Sequence, residues 1–478
     1  MHALLNYNFR PADIRDRNFA ALFEARRRDS VFAFVYEEDG YTYAIRDHLG
    51  IVPLYYRRIP GGLCFSTDLF DLIKDGDTLS EQGLRALMGF GSARLYPLVD
   101  QVGIVPPGAV LRFAPEDGTV EELYRYHITP APLASGKLQD IVDHIEVLFE
   151  QALQRVIQHD TVGLYLSGGI DSALIGIYLK KMGVCINAYT SAPWGAASSE
   201  IKFAQINAAA IGVDSHHLDC LETNQYVSAW RILPEIYSTP HGTTAGIGVT
   251  SLWRNTPIHR ERQVFFGQNT EPMMASEVAQ YLTYFASMLP DFVLRRYINP
   301  VYPEPYRNFL AFNSQSLLTD YPPLADVVGE RKLSDLQMIA VASMYVAHTP
   351  SDGEVLSQPA IHRSILASNP YYDMDLIEFC LSIPLRHRLR ITTKSKLLVA
   401  LDKRVFRVLA SRYLPRELVY RKKGFTIPFE RDEQTRQFVD MLPTRALGIP
   451  INELQARFAA SVVKNWADQR GMWPDAFC

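Results

Sequence analysis

The chain is poor in the residues that would place it outside a cell or in a membrane. Its five cysteines, at positions 64, 185, 220, 380 and 478, are odd in number, scattered and without a C-x-x-C pair. That pattern excludes a disulfide framework and a zinc ribbon. No apolar run reaches the ~18 residues a membrane-spanning helix requires. Residues 1–20 carry Asp13, Arg15, Asp16 and Arg17, so no signal peptide is expected, and a bacterial-type cytoplasm is the expected location. An excess of one charge sign is missing too. Forty-eight Lys and Arg face 52 Asp and Glu, a net charge of −4, which gives no ground for a nucleic-acid partner. There is no internal repeat and no low-complexity tract. What is present, 47% hydrophobic and 21% charged residues over 478 positions, reads as soluble, globular and large enough for two domains.

Residues 1 to 130 read as β-rich. Short strand patterns run over Val31–Tyr36, Tyr41–Ile45, Gly62–Phe65 and Ala109–Phe113, with Asp39-Gly40 as a hairpin signal. Residues Pro130 to Gly136, Pro-Ala-Pro-Leu-Ala-Ser-Gly, form the linker candidate. A second domain over 138–478 then opens on Ile141, Ile145, Leu148, Ala152 and Val156 at helical spacing. A strand over Val162–Leu166, a helix over Ala173–Met182, a strand over Val184–Tyr189 and a helix over Ser199–Ile211 follow. This alternation predicts an α/β fold with a doubly wound parallel sheet, followed by a mostly helical part beyond residue 275. Ligands of such sheets sit at the carboxyl ends of the strands.

At one such end lies Ser167-Gly168-Gly169-Ile170-Asp171-Ser172. A Gly-rich turn opening a helix offers backbone N–H donors and a positive dipole end, which together make a phosphate cradle. Gly168 and Gly169 allow close approach, and Ser167 and Ser172 add hydroxyls. Asp171 would repel phosphate unless a hard cation, most simply Mg²⁺, lay between. The loop is not the G-x-x-x-x-G-K-[ST] type. Far downstream, Arg404 to Lys423 is a basic stretch that calls for a small anion. Weaker features are His216-His217, read as neighbours on a strand that point to opposite faces. Gly242, Gly246 and Gly248 read as a loop, and the aromatic-rich 278–306 reads as helical core or a peptide-holding surface.

The cradle resembles the S-G-G-x-D-S loop of the N-type ATP pyrophosphatases. Together with Lys403, Leu414-Pro415, Arg421-Lys422-Lys423-Gly424-Phe425-Thr426-Ile427-Pro428 and Pro370-Tyr371-Tyr372-Asp373, the chain resembles the synthetase domain of the asparagine synthetase family. Asp29 to Phe34, Arg46 to Tyr56, Phe65 to Asp68 and Val105 to Gly108 resemble that family's glutaminase domain, in order. The resemblance implies that ATP is cleaved between its α and β phosphates. Ser167, Gly168, Gly169, Asp171 and Ser172 would hold ATP or pyrophosphate, Asp171 and Glu271 would hold Mg²⁺, and Lys403 and Lys423 would act on the departing pyrophosphate. A fixed ammonium at ~4 Å from developing charge is worth about 4 kcal/mol at an effective dielectric near 20.

Three departures shape the expected chemistry. The family's glutamine-dependent members carry a cysteine after the initiator Met and more residues before the first matched segment; here position 2 is His2. No glutaminase activity is therefore expected, and a degenerate amidotransferase-like sheet should pack on the synthetase domain. Glu271 stands where the family has an Asp. Leu366 stands where asparagine synthetases have a Glu and β-lactam-forming relatives a Tyr. The pattern is similar to lasso-peptide cyclases: the substrate, a small molecule or peptide, bears both carboxylate and amine, and a precursor-processing protease is a candidate partner. A β-lactam synthetase-like enzyme, an ammonia-dependent asparagine synthetase and a nucleotide-binding pseudoenzyme are the alternatives.

Overall fold

A computed structural model describes residues 1–14, 17–28, 31–93, 95–115, 118–132, 134–192, 199–274, 335–346, 348–394, 397–420 and 433–477. The N-terminal part is built on strands β1 (His2–Tyr7), β2 (Ala33–Glu38), β3 (Tyr41–Arg46), β7 (Ala109–Phe113) and β8 (Val120–Arg125). They form an antiparallel sheet of order β1-β2-β3-β7-β8. β4 (Tyr55–Ile59), β5 (Gly62–Ser66) and β6 (Gly103–Ile104) make a smaller sheet beside it. Helices α1 (Phe19–Ala25) and α2 (Glu81–Phe90) complete this part. The β2–β3 hairpin turns on Asp39 and Gly40, both at positive φ (51° and 79°), as a two-residue type I′ turn demands.

From Leu138 the architecture changes to alternating helix and strand. α3 (Leu138–Val156) buries one stripe, Ile141, Ile145, Phe149, Ala152 and Val156. Then come β9 (Thr161–Tyr165), α4 (Ile170–Lys181), β10 (Cys185–Ala192), α5 (Ser199–Ile211), β11 (Ser215–Cys220), β12 (Gln263–Phe265) and β13 (Leu366–Ser368). The five strands form one parallel sheet of order β11-β10-β9-β12-β13. The predicted α/β class and doubly wound parallel sheet are present, with element ends moved by a few residues and with β12 and β13, not among the predicted strands, added on one side. α4 is apolar on almost every side because it packs against β9, β10, α3, α5 and the Arg404–Ala410 helix. Gly176 lets it sit close to the sheet: a Cβ there would meet Ile211 at 2.8 Å and Leu164 at 3.1 Å.

The two parts share one continuous core. A polar node joins them as well. Glu378, in the Met374–Ser382 helix, accepts from Arg27 Nη2 (2.7 Å), Tyr126 OH (3.0 Å) and the Thr129 N–H (2.7 Å). Arg27 also pairs with Asp375 at 3.0 Å. Among the described residues no helix is long and apolar enough to cross a membrane.

Candidate active site

The Ser167–Ser172 loop leaves the carboxyl end of β9, the middle strand of the parallel sheet, and runs into the first turn of α4. The chain from β12 crosses directly over this turn. A Cβ on Gly267 would lie 2.8 Å from the Ser172 nitrogen and 3.0 Å from the Asp171 carbonyl carbon, so only glycine permits the approach. Asn269 follows at φ 91° and donates from its amide to the Tyr371 carbonyl at 2.8 Å. Tyr371 OH in turn donates to the Asp171 carbonyl at 3.0 Å. Asn369 donates to the Gln268 carbonyl at 2.9 Å. These bonds tie the ends of β12 and β13 to the start of α4.

Three of the sequence-predicted residues converge here. Lys403 Nζ lies 2.8 Å from Asp171 Oδ2 and 2.9 Å from Glu271 Oε1. Lys403 is buried, and burial by itself would lower its pKa. The facing carboxylates of Asp171 and Glu271 outweigh that and hold the ammonium well above the ordinary lysine range. Asp171 Oδ1 is buried and has no hydrogen-bond partner among the described residues. A hard divalent cation fits that donor set: one orphaned carboxylate oxygen beside a second carboxylate that is 44% exposed. Among the described residues no group of three or more His, Cys, Asp or Glu could hold a metal alone. A cation here would share its shell with phosphate oxygens and water, as Mg²⁺ commonly does.

The cradle itself differs from expectation. Its glycine-turn donors do not all face one vacant point. The Ser167 N–H donates to Ser172 Oγ (3.0 Å), the Gly168 N–H to Glu200 Oε1 (2.7 Å) and the Gly169 N–H to Ser167 Oγ (3.1 Å). Peptide groups in a turn this buried need partners, and side chains supply them. The donors left for an anion are those of the first turn of α4, which have no carbonyl of their own helix to reach. Neither Glu200 nor Asn207 stood out in the sequence. Their one signal is a spacing of seven positions on a predicted helix, which puts both on one face.

Other expectations fall differently. Lys423, the loop Arg421–Pro428 and the aromatic stretch 278–306 lie outside the described residues. Leu366 opens β13, with its N–H bonded to the Arg262 carbonyl at 3.1 Å. Asp373 caps the Met374–Ser382 helix and pairs with Arg155 at 2.9 Å, a structural use. His216 and His217 sit on β11 with different neighbours: His216 Nε2 is 2.8 Å from Thr190 Oγ1, and His217 stacks on Tyr189.

The sequence profile of the family described as "Asparagine synthase" matches residues 144–260 and 275–465. A Bacillus subtilis protein named asparagine synthetase [glutamine-hydrolyzing] 1 is 25% identical over 197 residues, 40% of this chain and 31% of that protein. A Mycobacterium bovis protein named putative asparagine synthetase [glutamine-hydrolyzing] is 27% identical over 205 residues, 41% of this chain and 31% of that protein. The matched part thus spans about a third of each relative's length. Among solved structures, an NH3-dependent NAD synthetase from Campylobacter jejuni aligns with a TM-score of 0.22 and 14% identity, over 44% of this chain and 94% of that one.

Proposed function

The chain belongs to the asparagine synthase family, and from that premise we propose that it is an AMP-forming, ATP-dependent amide ligase acting without glutamine hydrolysis. The observation that carries the reading is the meeting of Lys403, Asp171 and Glu271 at the start of α4, at the carboxyl end of the central strand. A carboxylate oxygen of the substrate attacks the α-phosphorus of ATP. The Pα–O–Pβ bond breaks and pyrophosphate leaves with the electron pair. An amine then attacks the acyl carbon, the acyl–O bond to AMP breaks, and the amine's surplus proton passes to solvent.

In this scheme the first turn of α4 binds phosphate oxygens through its free N–H groups and dipole. The Lys403 ammonium, buried and charged throughout, meets the negative charge of the departing pyrophosphate. Asp171 and Glu271 would hold Mg²⁺, which screens phosphate charge from the carboxylates and neutralises the leaving group. Lys423 is proposed as the second cation on the pyrophosphate.

The amine is proposed to belong to the substrate itself. The only cysteine of the β-rich part is Cys64, inside β5, and Leu366 offers no carboxylate to fix a free amino acid. A lasso-peptide-type macrocyclisation, joining a peptide's N-terminal amine to an Asp or Glu side chain, answers both features. Holding both ends of one substrate supplies a high effective molarity. The test is product analysis. Purified protein with Mg·ATP and candidate precursor peptides should release AMP and pyrophosphate in step with loss of one water from the peptide. Release of ADP would refute the ligase reading. Turnover of aspartate with glutamine or ammonia would keep the ligase but replace the macrocyclase with an asparagine synthetase.

A further inference from the structure

Two side chains from a neighbouring helix grip one peptide plane of the cradle. Asn207 Nδ2 donates to the Ser167 carbonyl at 2.9 Å, and the N–H of the same peptide, on Gly168, donates to Glu200 Oε1 at 2.7 Å. In a trans peptide the C=O and N–H point opposite ways, so the plane is held from both ends. The grip is possible because Glu200 and Asn207 both lie on α5, seven positions apart. Seven residues bring a helix back to nearly the same face, ~10 Å along its axis. Both side chains are buried, at 5% and 1% exposure. Asn207 Nδ2 also donates to the Gly169 carbonyl at 3.2 Å. Two carbonyls on one side fix which end of the amide is the donor.

The consequence concerns charge at the anion seat. Ser167-Gly168-Gly169 contains the two residues with the least resistance to rotation about their backbone bonds. A flip of the Gly169–Ile170 peptide would turn the Gly169 carbonyl oxygen to where its N–H end now points, toward the phosphates. Asn207 draws the Ser167 and Gly169 carbonyls toward α5. The Ile170 N–H, on the same peptide as the Gly169 carbonyl, therefore faces the opposite way, with the first-turn donors of α4. Glu200 lies in the first turn of α5, where the helix dipole stabilises a buried carboxylate.

We propose that Glu200 and Asn207 are positioning residues: they lock the Ser167–Gly168 peptide against α5 and draw the Gly169 carbonyl the same way, so that the next peptide presents the Ile170 N–H, not the Gly169 carbonyl, to the ATP phosphates. The proposal rests on the ATP reading above. Mg·ATP and adenosine are titrated against the intact protein and the variants Glu200→Ala, Glu200→Gln and Asn207→Leu. Glu200→Ala and Asn207→Leu should each bind Mg·ATP about tenfold more weakly, the worth of one hydrogen bond to a charged or buried group. Adenosine affinity should not change. Glu200→Gln keeps an acceptor oxygen at the same place and should stay within about threefold of the unmodified protein. Unchanged or tighter Mg·ATP binding by Glu200→Ala would overturn the proposal, since the carboxylate would then be a competitor of phosphate. Equal loss of ATP and adenosine would also overturn it, as a sign of general damage. Failure of the unmodified protein to bind Mg·ATP would sink the ATP reading itself.

Discussion

Replacing Lys403 by methionine removes one charge and little volume, and the geometry sets what should follow. At 2.8 Å from Asp171 Oδ2, the gross attraction is about 6 kcal/mol at an effective dielectric of 20. Desolvation of the pair offsets much of that, but taking away one partner leaves the other buried and uncompensated, which typically costs about 3–5 kcal/mol. The Glu271 arm, 44% exposed, adds at most about 1 kcal/mol. Lys403→Met should therefore lower unfolding stability by about 3 kcal/mol, read from urea titrations followed by circular dichroism. The raised pKa of Lys403 gives the pH dependence. Its contribution is complete below the unfolded lysine value of about 10.4 and fades only as pH rises toward the higher folded value. The deficit of the variant should accordingly stay level between about pH 7 and 9.5. Adding Asp171→Asn removes the stranded charge and should restore at least about 1 kcal/mol of the loss. Mg²⁺ should stabilise Lys403→Met more than the unmodified protein, because a divalent cation can take the place between the carboxylates. A loss under about 1 kcal/mol, or a double variant less stable than Lys403→Met, would refute the reasoning.

Three further outcomes follow from the same structure. Gly267→Ala drives a Cβ into backbone atoms of Ser172 and Asp171, so it should cost about 1–3 kcal/mol and abolish measurable Mg·ATP binding in a titration. Asp373 is buried, and burial pushes its pKa up to about 6. The fold therefore favours the neutral form below that pH and bears the charged form above it, by up to about 3 kcal/mol. Asp373→Asn, which keeps an acceptor for the helix cap, should thus be at least as stable as the unmodified protein at pH 7.5 and lose that advantage by about pH 5, as thermal melts at the two pH values would show. Glu378→Ala leaves Arg27 its pair with Asp375 but removes the acceptor shared by Arg27, Tyr126 OH and the Thr129 N–H, so it should lower the urea midpoint by the equivalent of about 2 kcal/mol and speed limited proteolysis near residues 130–136, whereas Glu378→Gln should lose about half as much.

β12 and β13, three residues each, are too short to leave a pattern, but the β9, β10 and β11 part of the parallel sheet was legible because its evidence is local: apolar runs of strand length, helical spacing between them, and a glycine turn at the junction of β9 and α4. The hairpin at Asp39-Gly40 was legible for the same reason. The pairing of Lys403 with Asp171 spans 232 positions, and no local pattern encodes it; the family resemblance pointed Lys403 at pyrophosphate, not at Asp171. The clamp on the cradle left only the seven-position spacing of Glu200 and Asn207 on a predicted helix. Glu200 and Asn207 look like ordinary polar positions of a helix until the packing of α5 brings them against the loop. The backbone at Lys403 shows why this half of the site resists local reading. Lys403 starts its helix at φ 53° and ψ 35°, left-handed geometry that costs a lysine about 1–2 kcal/mol and a glycine almost nothing. Local preference alone would place Gly or Asn there. The side chain that stands there instead delivers a buried ammonium to two carboxylates, so the backbone cost is offset only through contacts made across the fold. A residue that contradicts its local conformation while completing a distant charge cluster marks the place where tertiary chemistry outranks propensity. Lys403→Gly tests the point: it should relieve the backbone cost yet be less stable than the unmodified protein, because the charge it strands outweighs the strain it removes.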